Sequence, residues 1–159
     1  MDFSDMNFDG QIFEGHQYEN TNFSGSSFRN AGIRHCNAMG AMFHGAVMTN
    51  AYLYRNILQG SVWKGSDLRD TILEQCIMYR GIKKEEGNLL PDSESMILKD
   101  CRLYGTIFKR CMMNGMDFSG TDIQGCVFEK CDLEGCTFLT GQEKYLKISE
   151  KQKKTIRWV

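Results

Sequence analysis

Seven cysteines are the residues of this sequence with the clearest capacity for chemistry. Three of them are spaced five residues apart in the stretch CVFEKCDLEGCTF, which covers 126–138. Cysteines at such short spacing could hold a metal ion, form a redox pair or simply fill space. An odd number of cysteines, with no charged start and apolar segment of a secretory signal, argues against a disulfide framework. The remaining alternatives depend on the elements that position these side chains.

Large apolar residues recur every five positions along the chain. All ten phenylalanines have numbers ending in 3 or 8, and Ala38 is the one small residue among the apolar members of that series. Two residues before these centres, the side chains are small or moderately polar, and all seven cysteines stand there. Two residues after the centres, glycine recurs, accounting for twelve of the sixteen glycines. The chain is therefore mostly one repeat.

A five-residue period matches neither the 3.6-residue period of a helix nor the alternation of an ordinary strand. It matches a chain that turns a corner every five residues, points one large and one small side chain inward, and uses glycine at many corners. Four corners make a coil of about twenty residues, and stacked coils pair like parallel strands about 4.8 Å apart. Residues twenty positions apart should therefore share a face of a rod.

This geometry decides between the alternatives for the cysteines. Cys126, Cys131 and Cys136 would face different walls of the rod, which is unsuitable for a zinc ion with converging ligands. Cys111 and Cys131 should stack on adjacent coils at a separation that permits a disulfide, but in a reducing cytosol we expect a ladder of buried thiols. The three histidines occupy three different repeat positions, and no G-x-S-x-G motif is present. We predict no catalytic residue, cofactor site or metal site.

Units such as TNFSG, SDLRD, MDFSG, TDIQG and CDLEG resemble the pentapeptide-repeat family, whose pattern is a small residue, Asp or Asn, a large apolar residue and two variable positions. The resemblance implies an all-β fold, a right-handed quadrilateral parallel β-helix of about six coils and ~30 Å in length. We predict that residues 1–140 form this β-helix and that residues 141–159 form a C-terminal cap or tail. Ser149 and Gln152 have the spacing of a helix capping box.

The repeat is interrupted between Met78 and Leu98, where the segment includes the only proline and four consecutive charges. We predict that residues 79–95 form a loop that projects from the rod. Long loops in compact domains are functional or disordered, and both readings stay open. The partner-binding candidates in this loop are Lys83, Lys84, Glu85, Glu86, Leu89 and Leu90.

The residue before each centre should face outward, and the family pattern places Asp or Asn there. In the middle of this chain apolar residues take that position, so Met42–Val62, Tyr52–Ile72 and Ile57–Ile77 should form outward ladders. Such ladders are explained either by stacking of side chains between coils or by a protein-contact patch. The partner-binding candidates are Tyr52, Ile57, Ile72 and Ile77.

Charge is unevenly distributed, although the formal net charge is only -1. Residues 142–159 hold six bases and two acids, whereas residues 1–28 hold no Lys or Arg and five acids, namely Asp2, Asp5, Asp9, Glu14 and Glu19. The near-zero net charge does not favour direct nucleic-acid binding, and no apolar run reaches membrane-spanning length. We predict a cytoplasmic protein that has no membrane contact. Its first coil would expose unpaired backbone, which implies a homodimer, a preceding segment or a fraying end.

The stretch IRHCNAMGAMFHGA, residues 33–46, resembles the quinolone-resistance branch of the family, which protects DNA gyrase and topoisomerase IV. The resemblance implies a non-enzymatic, cofactor-free rod that binds a protein partner and modulates type II topoisomerase through a DNA-like shape. Loops contribute to protection in that branch, so residues 79–95 would be the corresponding candidate. The net charge, the loop position and the C-terminal segment depart from that branch. The alternative is a structural scaffold or targeting module, such as the repeat domain of a secreted bacterial effector.

Overall fold

Coils of twenty residues stack into a parallel β-solenoid in the computed structural model, which describes residues 1–78, 84–85, 88–89 and 96–159. Asp2 pairs with Asn22 and Asn22 pairs with Met42, so each coil returns to the same face after twenty residues. Pairings of this kind recur at four positions of the coil, which gives the rod four faces. The prediction of a parallel β-helix of about six coils is confirmed.

The four faces are defined here by their ladders of outward residues. Face 1 carries Asp2, Asn22, Met42, Val62 and Ile97, then Asp117, Thr137 and Arg157. Face 2 carries Asn7, Ser27, Val47, Asp67 and Arg102. Face 3 is a six-stranded parallel sheet, and face 4 carries Gln17, Asn37, Ile57, Ile77, Met112 and Asp132.

Face 3 contains the longest regular strands of the solenoid. Its order is β1, β2, β3, β4, β7 and β8, and a separate pair joins β9 to β10 on face 1. The elements are β1 Ile12–Glu14, β2 Gly32–Arg34, β3 Tyr52–Tyr54, β4 Ile72–Glu74, β5 Lys84–Glu85, β6 Asn88–Leu89, β7 Ile107–Lys109, β8 Val127–Glu129, β9 Thr137–Phe138, a 3-10 helix Thr140–Tyr145, α1 Glu150–Lys153 and β10 Arg157–Trp158.

Among the described corners of the repeat, all but the one at Gly120 are made by a residue in the left-handed backbone region, two positions after a centre. Gly45 has a φ of 62°, and Asn50 at the next corner has a φ of 59°. Glycine meets no Cβ penalty there and Asn is tolerated, whereas longer side chains are disfavoured. Arg55 and Lys130 nevertheless adopt φ values of 52° and 53°. The repeated geometry of the coil therefore imposes this conformation even on long side chains at most corners.

The centre residues fill the inside of the rod, as the five-residue period predicts. Aromatic rings stack from coil to coil, with centroid distances of 5.6 Å from Phe3 to Phe23, 5.1 Å from Phe23 to Phe43 and 4.1 Å from Phe43 to Trp63. Such distances are typical of favourable ring pairs. Trp63 is fully buried, whereas Phe3 in the first coil is only partly buried. The core is therefore closed in the middle and open at the first coil.

The small residues before the centres have a second role beyond filling space. The Thr106 hydroxyl donates to the carbonyl of Leu68 at 2.7 Å, and the Cys136 thiol donates to the carbonyl of Met113 at 2.9 Å. Each acceptor is a centre residue of the preceding coil. The same contact is made by Thr71, Cys101, Cys111, Thr121, Cys126 and Cys131. A short side chain with a hydrogen-bond donor fits this position because it fills little volume and satisfies a buried carbonyl.

The pairing between neighbouring coils continues across the interruption that follows Met78 in the sequence. Ile72 pairs with Ile107, so the step there is 35 residues instead of 20, and the N–H of Met96 donates to the carbonyl of Met78 at 3.0 Å. The insertion leaves the rod at the corner between face 4 and face 1. Within it, β5 and β6 pair antiparallel. The rest of the expected loop lies outside the described residues.

The chain leaves the coil pattern after β9 and covers the last coil. Leu146 and Ile156 are buried against the core, and β10 returns to face 1 beside β9. Ser149 caps α1: its hydroxyl accepts from the N–H of Gln152 at 3.2 Å, and the Gln152 Oε1 accepts from the N–H of Ser149 at 3.0 Å. The predicted capping box is confirmed, while the boundary at residue 140 stays a prediction.

Candidate protein-binding surface

Apolar side chains form outward columns at the middle of the rod. On face 3, Tyr52 and Ile72 are paired between β3 and β4, and they are 37% and 36% exposed. On face 4, Ile57 and Ile77 are paired and half-buried. We call the whole set the apolar belt; its members are Met42, Tyr52, Ile57, Val62, Ile72, Ile77, Ile97, Ile107, Met112 and Val127. The predicted ladders therefore exist as pairs, while their role in binding stays a prediction.

Stacking between coils does not bury the belt. Ile97 on face 1, Met112 on face 4 and Val127 on face 3 are 40%, 44% and 47% exposed, although each has a neighbour in an adjacent coil. If another molecule covered these side chains, more of their apolar surface would be removed from water, which is favourable. Val127 was not singled out from the sequence, although it stands in the outward position before the centre Phe128.

A polar column runs beside the belt on face 3. The Tyr52 hydroxyl donates to Glu74 Oε2 at 2.7 Å, and Lys109 Nζ lies 3.9 Å from Glu74 Oε1. Burial, and then the hydrogen bond to Glu74, raise the pKa of Tyr52 to about 12, so this hydroxyl stays a donor at neutral pH. The arrangement joins an apolar strip to fixed polar groups, as protein interfaces combine an apolar centre with a polar rim.

The five acids of the first coil are all exposed at one end of the rod. The backbone N–H of Ser4 lowers the pKa of Asp2, and the Ser27 hydroxyl lowers the pKa of Asp9, so both carboxylates are charged at neutral pH. Arg29 approaches Asp9 at 3.7 Å. This acidic end and the apolar belt do not form one site, because the second coil separates them on face 1.

The loop candidates are only partly described. Lys84 and Glu85 lie in β5 and Leu89 lies in β6, with Lys84 opposite Leu89. Lys83, Glu86 and Leu90 lie outside the described residues. The insertion departs from the corner beside Ile77 and Ile97, which are both members of the apolar belt. The two ends of the insertion therefore meet the rod at the height of these belt members.

The cysteines lie in the interior of the rod. All seven cysteines are buried and free. Among residues 1–78 and 96–159, no three His, Cys, Asp or Glu side chains gather as a metal site. A small apolar cavity of about 20 Å³ lies beside Ala38, the small centre residue, and it is large enough only for a water-sized molecule. Within the described part of the chain, no helix has the length and apolar character needed to cross a membrane.

Part of the repeat matches a known family. Residues 97–138 match the family model described as pentapeptide repeats, with eight copies. A search of curated proteins returns no match.

Among solved structures, the chain is similar to QnrB1, a plasmid-mediated fluoroquinolone resistance protein, with 16% identity, a TM-score of 0.44, and coverage of 99% of this chain and 79% of that one. It is similar to HetL from the cyanobacterium Nostoc sp. strain PCC 7120, a protein involved in heterocyst differentiation regulation, with 16% identity, a TM-score of 0.40, and coverage of 86% and 60%. A pentapeptide repeat protein from the Arabidopsis thaliana thylakoid lumen shares 15% identity at a TM-score of 0.27, with coverage of 94% and 73%. These likenesses carry no information about the function of this chain.

Proposed function

We propose that the chain is a non-enzymatic pentapeptide-repeat rod that binds a protein partner through the apolar belt. The match of residues 97–138 to pentapeptide repeats supports the repeat part of this proposal. The observation that carries the proposal is the exposure of Tyr52, Ile72 and Met112, in a position where the repeat pattern favours Asp or Asn. Apolar groups on the outside of a solenoid are not needed to fill its core. Their contiguous arrangement on neighbouring coils is typical of a surface that another protein covers.

The specific partner that we propose is a bacterial type II topoisomerase, with DNA gyrase as the first candidate. The support is the resemblance of residues 33–46 to the quinolone-resistance branch, together with an insertion that leaves the rod beside the belt. The surface charge limits how such a rod would act. Asp67 is paired with Arg69 at 2.6 Å, and Glu74 lies near Lys109, so the middle of the rod is not a continuous anionic surface like DNA. We therefore propose that the rod contacts the topoisomerase through the apolar belt and the loop.

A supercoiling assay with purified DNA gyrase tests the specific proposal. We expect micromolar protein either to inhibit supercoiling or to raise the ciprofloxacin concentration needed to block it. If neither effect occurs, the topoisomerase proposal is wrong. The broader proposal, that the apolar belt binds a protein, would then be tested by using this protein as bait. The proteins retained by the wild type and by the substituted variants would be compared.

Substitution of Ile57→Asp together with Ile77→Lys should abolish partner binding while the fold persists. The two positions are paired on face 4, so opposite charges replace the apolar pair without placing like charges side by side. Gln17→Asp is the matched control, because it adds a charge to the same face in the first coil. We expect the double variant to lose the gyrase effect, or any protein retained by the wild type, and Gln17→Asp to keep it. Equal retention by all three proteins would refute a role for the belt.

The second candidate function is a structural scaffold or targeting module. The observation that favours it is the open first coil, whose centre residues Phe3, Phe8, Phe13 and Tyr18 are only partly buried. Such an end can join the rod to another protein segment. A rod that shows no effect on gyrase but retains a protein through its first coil would fit this candidate.

A further inference from the structure

The two ends of the rod carry opposite charge. The first coil presents five exposed acids. At the other end, Lys153 contacts Glu143 at 2.9 Å and Glu150 at 3.0 Å, so a single base engages both acids of residues 142–159. Five further bases of that segment are exposed, namely Lys144, Lys147, Lys151, Lys154 and Arg157. One end of the molecule is therefore the electrostatic complement of the other.

Both ends also present an open strand on face 1. Asp2 starts the ladder of that face, and Arg157 in β10 ends it in register with Thr137. β10 pairs with β9 on one side only among the described strands. An unpaired strand edge is a template for another strand. The two open edges lie on the same face and have the same polarity, because all coils run parallel.

The inward column of face 1 ends in aromatic side chains at both ends. Phe3 is partly buried and stacks on Phe23 at 5.6 Å. Trp158 is partly buried and lies 6.2 Å from Phe138. Each ring is covered on the side of its own rod and is incompletely covered on the other. A ring of similar kind on a neighbouring molecule would continue the column.

A buried hydroxyl at the first coil lacks the partner that its counterparts have. Thr21 Oγ1 has no hydrogen-bond partner and the residue is fully buried. At equivalent positions the hydroxyl donates to a carbonyl 23 residues earlier, as Ser26 does to Phe3 and Thr121 does to Leu98. An acceptor from another molecule at this end would remove the cost of the unpaired group.

From these observations we propose that two copies of the chain associate head to tail, with β10 of one copy pairing parallel to the strand segment at Asp2 of the next. The hydrogen bonds between the first two coils of one chain predict how the strands of the two copies would be aligned. Asn22 N–H donates to the carbonyl of Met1, and Phe3 N–H donates to the carbonyl of Asn22. By the same pattern, Asp2 of the next copy donates to the carbonyl of Ile156, and Trp158 donates to the carbonyl of Asp2. Arg157 then stands beside Asp2, and Trp158 beneath Phe3.

Head-to-tail contact is favoured over contact between two first coils. Two first coils would bring their acidic residues together without a base, and like charges across a strand pair are destabilising. The head-to-tail arrangement instead places the acids against the exposed bases of the cap. It does not use the apolar belt, so the partner proposed above could bind the sides of an assembled rod.

Sedimentation velocity of the full chain, at low and at high ionic strength, tests the proposal. We expect concentration-dependent association at low ionic strength that weakens as salt screens the ends. Arg157→Glu and Asp2→Arg should each raise the dissociation constant by roughly tenfold, because an attractive cross-strand pair becomes repulsive. An equimolar mixture of the two variants should associate again, since each end of one variant then meets an opposite charge on the other.

Lys64→Glu is the matched control, because it makes the same charge change as Arg157→Glu at an exposed position in the middle of the rod. We expect it to associate like the wild type, and circular dichroism should show that all variants are folded. A monomer at every concentration and salt would overturn the proposal. So would association that both end variants leave unchanged, or a mixture that stays as weak as its components.

Discussion

The folded protein should lose its stability steeply above pH 9. Burial raises the pKa of the Cys101, Cys126 and Cys136 thiols to about 12, from a value of 9.0 without burial. Unfolding exposes these thiols, so between these pH values the unfolded chain releases protons that the folded chain retains. The stabilising contribution is therefore complete below pH 9 and is lost as the pH rises towards 12. Three such thiols would lower the free energy of unfolding by about 4 kcal/mol per pH unit, against a typical total of about 5–15 kcal/mol.

Urea denaturation at several pH values between 8 and about 11 measures this slope, since the linear extrapolation gives a free energy at each pH. The matched control replaces the three cysteines by threonine, which this chain already uses at equivalent positions such as Thr71 and Thr106 and which donates to the same kind of carbonyl. The threonine variant does not titrate at these three sites, so its slope should be smaller by about 4 kcal/mol per pH unit. Equal slopes for the two proteins would show that the buried thiols do not govern the loss of stability.

The five-residue pattern was sufficient to predict the architecture, because every unit repeats the same choice of inward and outward side chains. The faces, the pairing of Tyr52 with Ile72 and the interruption after Met78 all follow from counting along the chain. The role of the small inward residues was only half predicted. Their size indicates that they fill space, but the acceptor of Cys136 is a backbone carbonyl of Met113. A backbone acceptor leaves no mark on the residue type that carries it.

The candidate surface was predictable in its columns but not in its ends. Outward positions such as Ile57 and Ile77 can be identified by their spacing, yet their degree of exposure depends on neighbours in adjacent coils. The return of β10 to face 1 could not be deduced from the period, because the repeat has stopped and the path of residues 139–156 is determined by packing on the last coil. The alignment of Arg157 with the column of Asp2 therefore emerges only from the structure.

Replacement of Trp63 by alanine should cost about 3–5 kcal/mol of the free energy of unfolding, the usual range for removing a large buried aromatic side chain. Trp63 is fully buried, its ring lies 4.1 Å from that of Phe43, and its Nε1 donates to the Ser61 hydroxyl at 2.7 Å. The substitution removes the ring stack and adds its volume to the cavity of about 20 Å³ beside Ala38, which Trp63 already lines. Stacked coils cannot collapse easily into that space, because their backbones are held apart by the strand spacing.

Urea denaturation followed by circular dichroism measures the loss, since the substitution removes one of only two tryptophans and so disturbs a fluorescence signal. Tyr104→Ala is the matched control, because Tyr104 is an aromatic residue of similar size that is 65% exposed. We expect this variant to lie close to the wild type, since little apolar surface is withdrawn from water at that position. Trp63→Phe should lie between the two, because a ring remains to pack against Phe43 while the bond to Ser61 is lost. A loss below about 1 kcal/mol for Trp63→Ala would contradict a close-packed aromatic column, and it would also remove the physical basis for extending that column to a second copy through Trp158 and Phe3.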